Sequence, residues 1–205
     1  MAERPILIVM AKAPRQGLGK TRLAQGVGVV AAWRINRAMQ AKALRVARRA
    51  NASVVLAVPR KDMRTTLPGV WPRDVARQAQ GEGDLGARLA RLFCAIGPRP
   101  CAVIGADCPD ADDRALALAL RRLRRDPAVI GPTTDGGFWF FGAQRASQVA
   151  PAFAQTAWST PTACADLQRA ARGCVRLPFT LSDIDTIADW RAYRAAKRAR
   201  GSWGR

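Results

Sequence analysis

Apolar residues in this chain arrive in short continuous runs separated by longer, helically spaced segments. Residues 6–10 read Ile-Leu-Ile-Val-Met, five apolar positions of which three are β-branched. Such a run marks a strand covered on both faces, as in a parallel sheet. Comparable runs recur at 52–58, stopped by Pro59, at 100–106 and at 128–131, with a weaker one at 75–80. Between them the period lengthens. Residues 29–50 set Trp33, Met39 and Leu44 among alanines, with Arg34, Arg37, Arg45 and Arg48 on the other side of a helix. Asp84 is placed to cap a helix carrying Leu85, Leu89 and Leu92, and Leu116, Leu120 and Leu123 give the inner stripe of another over 112–125. The aromatic run 138–141 predicts a strand packed on both faces. Beyond it come a helix over 161–172, a last strand over 174–179 and a terminal helix over 187–199. Residues 61–72 carry no usable pattern. The alternation predicts one α/β domain over residues 1–205, a mostly parallel sheet with helices on both faces, right-handed crossovers and an antiparallel strand near Phe138.

Composition narrows the chemistry. With 205 residues and 49% apolar content the chain can bury a sizeable core, and no apolar run reaches membrane-spanning length. The run at 6–11 is too short for a signal-peptide core and follows Glu3, so a cytoplasmic protein is expected. Lysine and arginine number 34 against 15 acids, a net charge of +19. The arginines are scattered over several helices without interleaved aromatics, which suits an anionic substrate or incidental nucleic-acid affinity better than a specific nucleic-acid partner. Histidine is absent, which removes histidine bases, histidine metal ligands and Ser-His-Asp or Cys-His catalysis. The five cysteines form no C-x-x-C pair, as expected of buried thiols in a reducing compartment, and Cys108 without a base reads as packing.

The densest chemistry follows the first strand. Lys12, Arg15, Lys20 and Arg22 fall within eleven residues around Gly17 and Gly19. Glycines let backbone N–H groups turn toward a ligand, and a cationic nest leading into a helix attracts anions, so these six positions are candidate phosphate-binding residues. The segment ends in Gly19-Lys20-Thr21 like a P-loop, but the first glycine of that motif would fall at Pro14, whose fixed φ and missing donor argue against it.

Acidic residues sit after other predicted strands: Asp107 after the fourth, Asp135 after the fifth, and Asp183 and Asp185 after the last. Ligands of open α/β sheets lie beyond the carboxyl ends of the strands. Carboxylates from two strands beside a phosphate loop are what Mg²⁺ takes, completing its octahedron with water and phosphate oxygens. Asp107 is favoured for metal over capping, since Asp110 and Asp112 are better placed to cap. One of Asp183 and Asp185 is expected at a helix N-cap and the other at the metal. Asp135-Gly136-Gly137 fits a plain turn or a substrate contact equally, and Trp139 is expected in the core.

Four segments, Lys12-Ala13-Pro14-Arg15-Gln16-Gly17 with Lys20-Thr21-Arg22-Leu23, Gly105-Ala106-Asp107-Cys108-Pro109, Gly131-Pro132 with Asp135-Gly136-Gly137-Phe138, and Asp183-Ile184-Asp185-Thr186, resemble the signatures of the radical-SAM/selenodomain-associated transferase family. That family, formerly a domain of unknown function, lies in the GT-A nucleotide-diphospho-sugar transferase superfamily. The pattern is also similar to phospholactate and molybdenum-cofactor guanylyltransferases. The resemblance implies a Rossmann-like GT-A fold and a transferase dependent on Mg²⁺ or Mn²⁺. It implies Lys20 and Arg22 on the nucleotide phosphates, Asp107 and Asp185 on the metal, and catalytic roles for Lys20 and Asp107. Its usual label implies glycosyl transfer from a nucleotide sugar to an acceptor the sequence does not name. Nucleotidyl transfer from a nucleoside triphosphate is the alternative, and a non-catalytic basic nucleic-acid-binding module is the rival of another class. A D-x-D motif is absent, since Cys108-Pro109-Asp110 follows Asp107.

Overall fold

The computed structural model describes residues 3–202. Residues 1–2 and 203–205, which the expected domain span includes, lie outside the described residues. Seven strands form one sheet: β1 Ile6–Met10, β2 Ser53–Val58, β3 Ala76–Ala79, β4 Cys101–Gly105, β5 Ala128–Pro132, β6 Phe138–Ala143 and β7 Cys174–Arg176. Their order is β3-β2-β1-β4-β6-β5-β7. Only β6 runs antiparallel to its neighbours, β4 and β5, as the sequence pattern near Phe138 predicts. Its extra residue relative to β5 is Trp139, where the register shifts.

Helices cover both faces. On one, α2 (Val29–Arg49) and α4 (Asp113–Leu123) press Leu44, Ala47, Leu116 and Leu120 onto Leu7, Val9, Leu56 and Ile104. On the other, α3 (Leu85–Ile96), α5 (Ala146–Ala154) and α6 (Ala163–Ala170) set Leu89, Phe93, Phe153 and Leu167 against Ile8, Val103, Ile130 and Phe141. Alternate residues of β1 thus enter opposite cores, as period-two geometry requires. Trp139 is buried, in the core as expected. A smaller cluster joins α1 (Thr21–Val27) to α7 (Ile187–Ser202) through Leu23, Ile184, Trp190 and Tyr193. The helices approach closely there, since a Cβ at Gly26 would stand 2.5 Å from Ile187.

Three local expectations are corrected and one helix is added. The last strand ends at Arg176, because Leu177 makes a final bond to Ile130 and Pro178 then has no N–H to donate. The helix after 161 is shorter than expected, Ala163–Ala170. The region 146–154 is a helix that the pattern did not announce, because Pro151 interrupts it. Neither Asp183 nor Asp185 caps α7. Thr186 Oγ1 accepts from the Asp189 N–H at 3.3 Å, and Asp189 accepts from the Thr186 N–H at 2.7 Å, a reciprocal capping box. Burial would raise the Asp189 carboxyl, but bonds it accepts from the Thr186 hydroxyl and from the Thr186 and Asp185 N–H groups hold it below its usual range. Asp84 and Asp112 cap α3 and α4 as expected. No helix among the described residues is long and apolar enough to cross a membrane.

Register explains why the site lies where it does. Met10 pairs with both Ala57 and Gly105, so β1, β2 and β4 end level with one another. The glycine loop therefore leaves β1 beside the segment that carries Asp107 out of β4.

Candidate functional site

Residues 11–20 are held by polar side chains from three other elements. Asp62, on a 3-10 turn after β2 and 1% exposed, accepts from the Ala13 N–H at 2.9 Å and from Arg15 Nη2 at 2.7 Å. A buried carboxylate persists when charge-assisted bonds replace its water, and here they fold the loop around it. Gln40 of α2 donates to the Lys12 carbonyl at 3.0 Å, and Trp33 to that of Pro14 at 2.8 Å. Gln80, just past β3, donates to the Ala11 and Ala57 carbonyls at 3.1 and 2.8 Å. The loop turns at Gly17 (φ +72°) and Gly19 (φ +97°), and Lys20 itself adopts φ +51°. A lysine in the left-handed region is held there by its surroundings.

Those surroundings are carboxylates. Lys20 Nζ lies 2.5 Å from Asp185 Oδ1 and 3.6 Å from Asp107 Oδ2, and Arg22 Nη2 lies 2.6 Å from Asp185 Oδ2. The Ile184 N–H donates to the Asp107 carbonyl at 3.1 Å, which pins the chain beyond β7 to the end of β4. A parallel bridge between Thr133 and Leu181 sets Asp183 beside the turn of Asp135. Burial alone would lower the Lys20 pKa, but Asp107, Asp185 and Asp183 together raise it. The Asp183 carboxyl is pushed up to about 6 by burial first, then by Asp135, Asp185 and Asp107.

The oxygen donors here suit a hard divalent cation, and the Lys20 ammonium already occupies a cation's place between Asp107 and Asp185. No three His, Cys, Asp or Glu side chains among the described residues form a closed metal cage. Two carboxylates, with the remaining positions left to phosphate and water, are the usual arrangement for Mg²⁺. The donor set therefore fits magnesium or manganese.

Two clefts open on either side of Asp107, of about 560 and 590 Å³. The first is cationic, with Lys12, Gly19, Lys20, Arg22 and Arg88 on its walls. The second takes Asp135 and Gly137 of the turn after β5, Asp183, and the apolar surface of Leu89, Phe138 and Trp158. Asp107 and Arg22 belong to both. Asp135 Oδ1 accepts from the Thr133 hydroxyl at 2.6 Å and the Gly137 N–H at 3.0 Å. Gly136 lines neither cleft: at φ +88° it lies so close to the Pro161 carbonyl that a Cβ would stand 1.9 Å from that oxygen. Arg15 and Gly17 also stand outside the first cleft. Arg15 instead lines a broader adjoining opening of about 1070 Å³, beside Lys12 and Arg88.

Sequence reading missed Arg88, Asp62, Gln40 and Gln80. Arg88 is a first-turn residue of α3 whose Nε donates to the Gly83 carbonyl at 2.9 Å. Neither Arg88 nor Lys12 forms an ion pair among the described residues, whereas Lys20 and Arg22 are both engaged by Asp185. Cys108 is buried and its thiol is pushed up, first by that burial and then by Asp107, so it packs rather than reacts.

Residues 41–160 match the model of a protein family described as "Uncharacterized protein conserved in bacteria (DUF2064)". No curated protein matches the chain. A solved structure from Desulfovibrio desulfuricans G20, of a protein named as a candidate nucleotide-diphospho-sugar transferase, is similar with a TM-score of 0.82 and 25% identity. That likeness covers 94% of this chain and 87% of the other. CMP:2-keto-3-deoxy-manno-octonic acid synthetase complexed with CTP gives a TM-score of 0.59 at 14% identity, over 97% and 100% of the two chains. Rv0371c from Mycobacterium tuberculosis H37Rv, in complex with manganese, gives 0.57 at 16% identity over 92% and 97%. The last two are likenesses of fold. The likeness to the D. desulfuricans protein and the sheet order give the architecture as GT-A-like.

Proposed function

We propose that this chain, which belongs to the DUF2064 family of bacterial proteins, is a nucleotide-utilising transferase dependent on a divalent cation. The observation that carries this reading is the pair of clefts meeting at Asp107, one lined by four cations of which Lys12 and Arg88 form no ion pair among the described residues, the other by carboxylates and apolar side chains. Lys12 and Arg88 hold the diphosphate in the first cleft, and the acceptor enters the second. Asp107 and Asp185 would hold Mg²⁺ or Mn²⁺, which when bound supplies further neutralisation of the phosphates.

Glycosyl transfer from a nucleotide sugar is the form we favour, supported by the likeness to the D. desulfuricans protein over 94% of the chain. The acceptor oxygen bonds to the anomeric carbon while the bond from that carbon to the diphosphate breaks. The electron pair leaves with the nucleoside diphosphate, whose charge the cations of the first cleft stabilise, and the hydroxyl proton passes to a carboxylate of the second. Nucleotidyl transfer is the second reading. It is favoured by the adjoining opening, where Arg15, Arg60, Lys61 and Arg91 extend the cationic surface beyond the first cleft, as a longer phosphate chain needs. The five free thiols support work in a reducing compartment, the cytoplasm.

A thermal-shift panel of nucleoside triphosphates and of UDP-, GDP- and CDP-sugars, with and without Mg²⁺, tests the reading. One nucleotide class is expected to raise the midpoint, and more so with metal, because a ligand that binds only the folded state stabilises it by mass action. No shift with any nucleotide at millimolar concentration would sink it.

A further inference from the structure

The second cleft has a chemistry of its own. The chain carries 34 basic residues against 15 acidic ones, yet Asp107, Asp135 and Asp183 face this cleft against a single cation, Arg22. The Arg22 guanidinium is already bound to Asp185 at 2.6 Å. A divalent cation on Asp107 and Asp185 would leave the charges of Asp135 and Asp183 facing the space. Both bonds to the Asp135 carboxylate fall on Oδ1, which leaves Oδ2 to accept from a ligand. Much of the remaining lining is apolar. Leu85 remains 40% exposed at its rim, and the Trp158 indole N–H is committed to the Phe153 carbonyl at 2.8 Å, so the ring offers its hydrocarbon surface.

Resting on the reading of this cleft as the acceptor's, we propose that the acceptor is an uncharged or positively charged hydroxyl compound with an apolar face, and that phosphorylated or carboxylated acceptors are rejected. Hydroxyl or ammonium donors meet the aspartates, and the apolar face lies against Trp158 and Leu85. An anion there would meet the Asp135 and Asp183 carboxylates at short range, with Lys20 and Arg22 already engaged by Asp185 and a divalent cation held on the Asp107 side, a juxtaposition that costs affinity in proportion to the loss of solvent screening. The same anion would be drawn to Lys12 and Arg88 on the other side of Asp107. The two clefts thus sort donor from acceptor by charge.

The test uses three probes that share one ring and differ in charge: glucosamine, glucose and glucose 6-phosphate. Each is titrated into the ¹⁵N-labelled protein with Mg²⁺, and binding is read at the Gly137 amide and the Trp158 indole. Glucosamine and glucose are expected to shift both signals, and glucose 6-phosphate to bind there at least tenfold more weakly. Asp135→Asn should narrow that gap. Asp183→Asn, which leaves the 133–137 turn untouched, should do the same if the first variant folds poorly. Glucose 6-phosphate binding at Gly137 as tightly as glucose overturns the proposal, and so does the absence of any shift there with all three probes. Nucleotide binding is read separately, at the Gly19 amide. If no nucleotide moves Gly19, the transferase reading fails whatever the order of the sugars; if nucleotides do and the phosphorylated sugar wins at Gly137, only the present inference fails.

Discussion

Lys20 is the residue on which the candidate site turns. Its ammonium sits on Asp185 and Asp107, so it acts as an internal counter-ion in the place a metal would take. Lys20→Met removes that competitor and should tighten Mn²⁺ binding, measured calorimetrically. The same change should lower turnover about a hundredfold, the usual effect of losing one preorganised charge stabiliser. Asp107→Asn should do the reverse to the metal, weakening Mn²⁺ binding while folding persists, and excess metal should partly restore its turnover. Equal metal affinity in wild type and both variants would refute the counter-ion role. Arg88 belongs to a different charge class, being unencumbered by any carboxylate among the described residues. Arg88→Ala should raise the nucleotide Kd by about tenfold or more, the loss expected of one charge-assisted hydrogen bond. The folding midpoint should stay put, because the only hydrogen bond described for the Arg88 side chain is the one to Gly83.

At the level of elements, what the sequence made legible was whatever local pattern dictates. Residues 6–10 and 100–106 gave β1 and β4, and the basic loop after the first and Asp107 after the second were readable as candidate site residues because an open α/β sheet gathers its strand ends. What tertiary partners decide stayed hidden. Asp62 lies in the stretch without pattern, and only the fold brings it under Ala13 and Arg15. Gln40 and Gln80 look like ordinary polar positions until their amides meet the loop carbonyls. Arg88 looks like a solvated helix residue until α3 is laid beside the glycine loop. Asp62→Ala should therefore cost about 2 kcal/mol in urea unfolding, since it strands the Ala13 N–H and unpairs Arg15, whose 41% exposure softens the loss. It should also weaken nucleotide binding, although Asp62 lines no part of the first cleft. Thr186→Ala should cost about 1 kcal/mol through the cap of α7 alone, the typical value for such a change.

Over the whole molecule, charge is sorted by place. Carboxylates gather at the carboxyl edge of the sheet, while much of the cation excess lies on outward helix faces such as Arg191, Arg194, Lys197 and Arg198 of α7, all exposed. A net charge of +19 attracts any polyanion, so weak binding to duplex DNA is expected and is no sign of a dedicated nucleic-acid module. The two kinds of anion binding separate by mutation and by salt. Replacing Arg194, Lys197 and Arg198 together by glutamine removes three candidate phosphate contacts from a face that lines neither cleft. DNA affinity, followed by fluorescence anisotropy, should fall and its dependence on log salt should become shallower by two to three. Nucleotide binding with Mg²⁺ should not change. Lys12→Ala with Arg88→Ala should give the opposite pattern, abolishing the nucleotide shift in the thermal assay while leaving DNA affinity and its salt slope close to wild type. A sequence-selective DNA or RNA target that survives physiological salt and is lost with Lys12 and Arg88 would make the first cleft a nucleic-acid groove and replace the transferase reading.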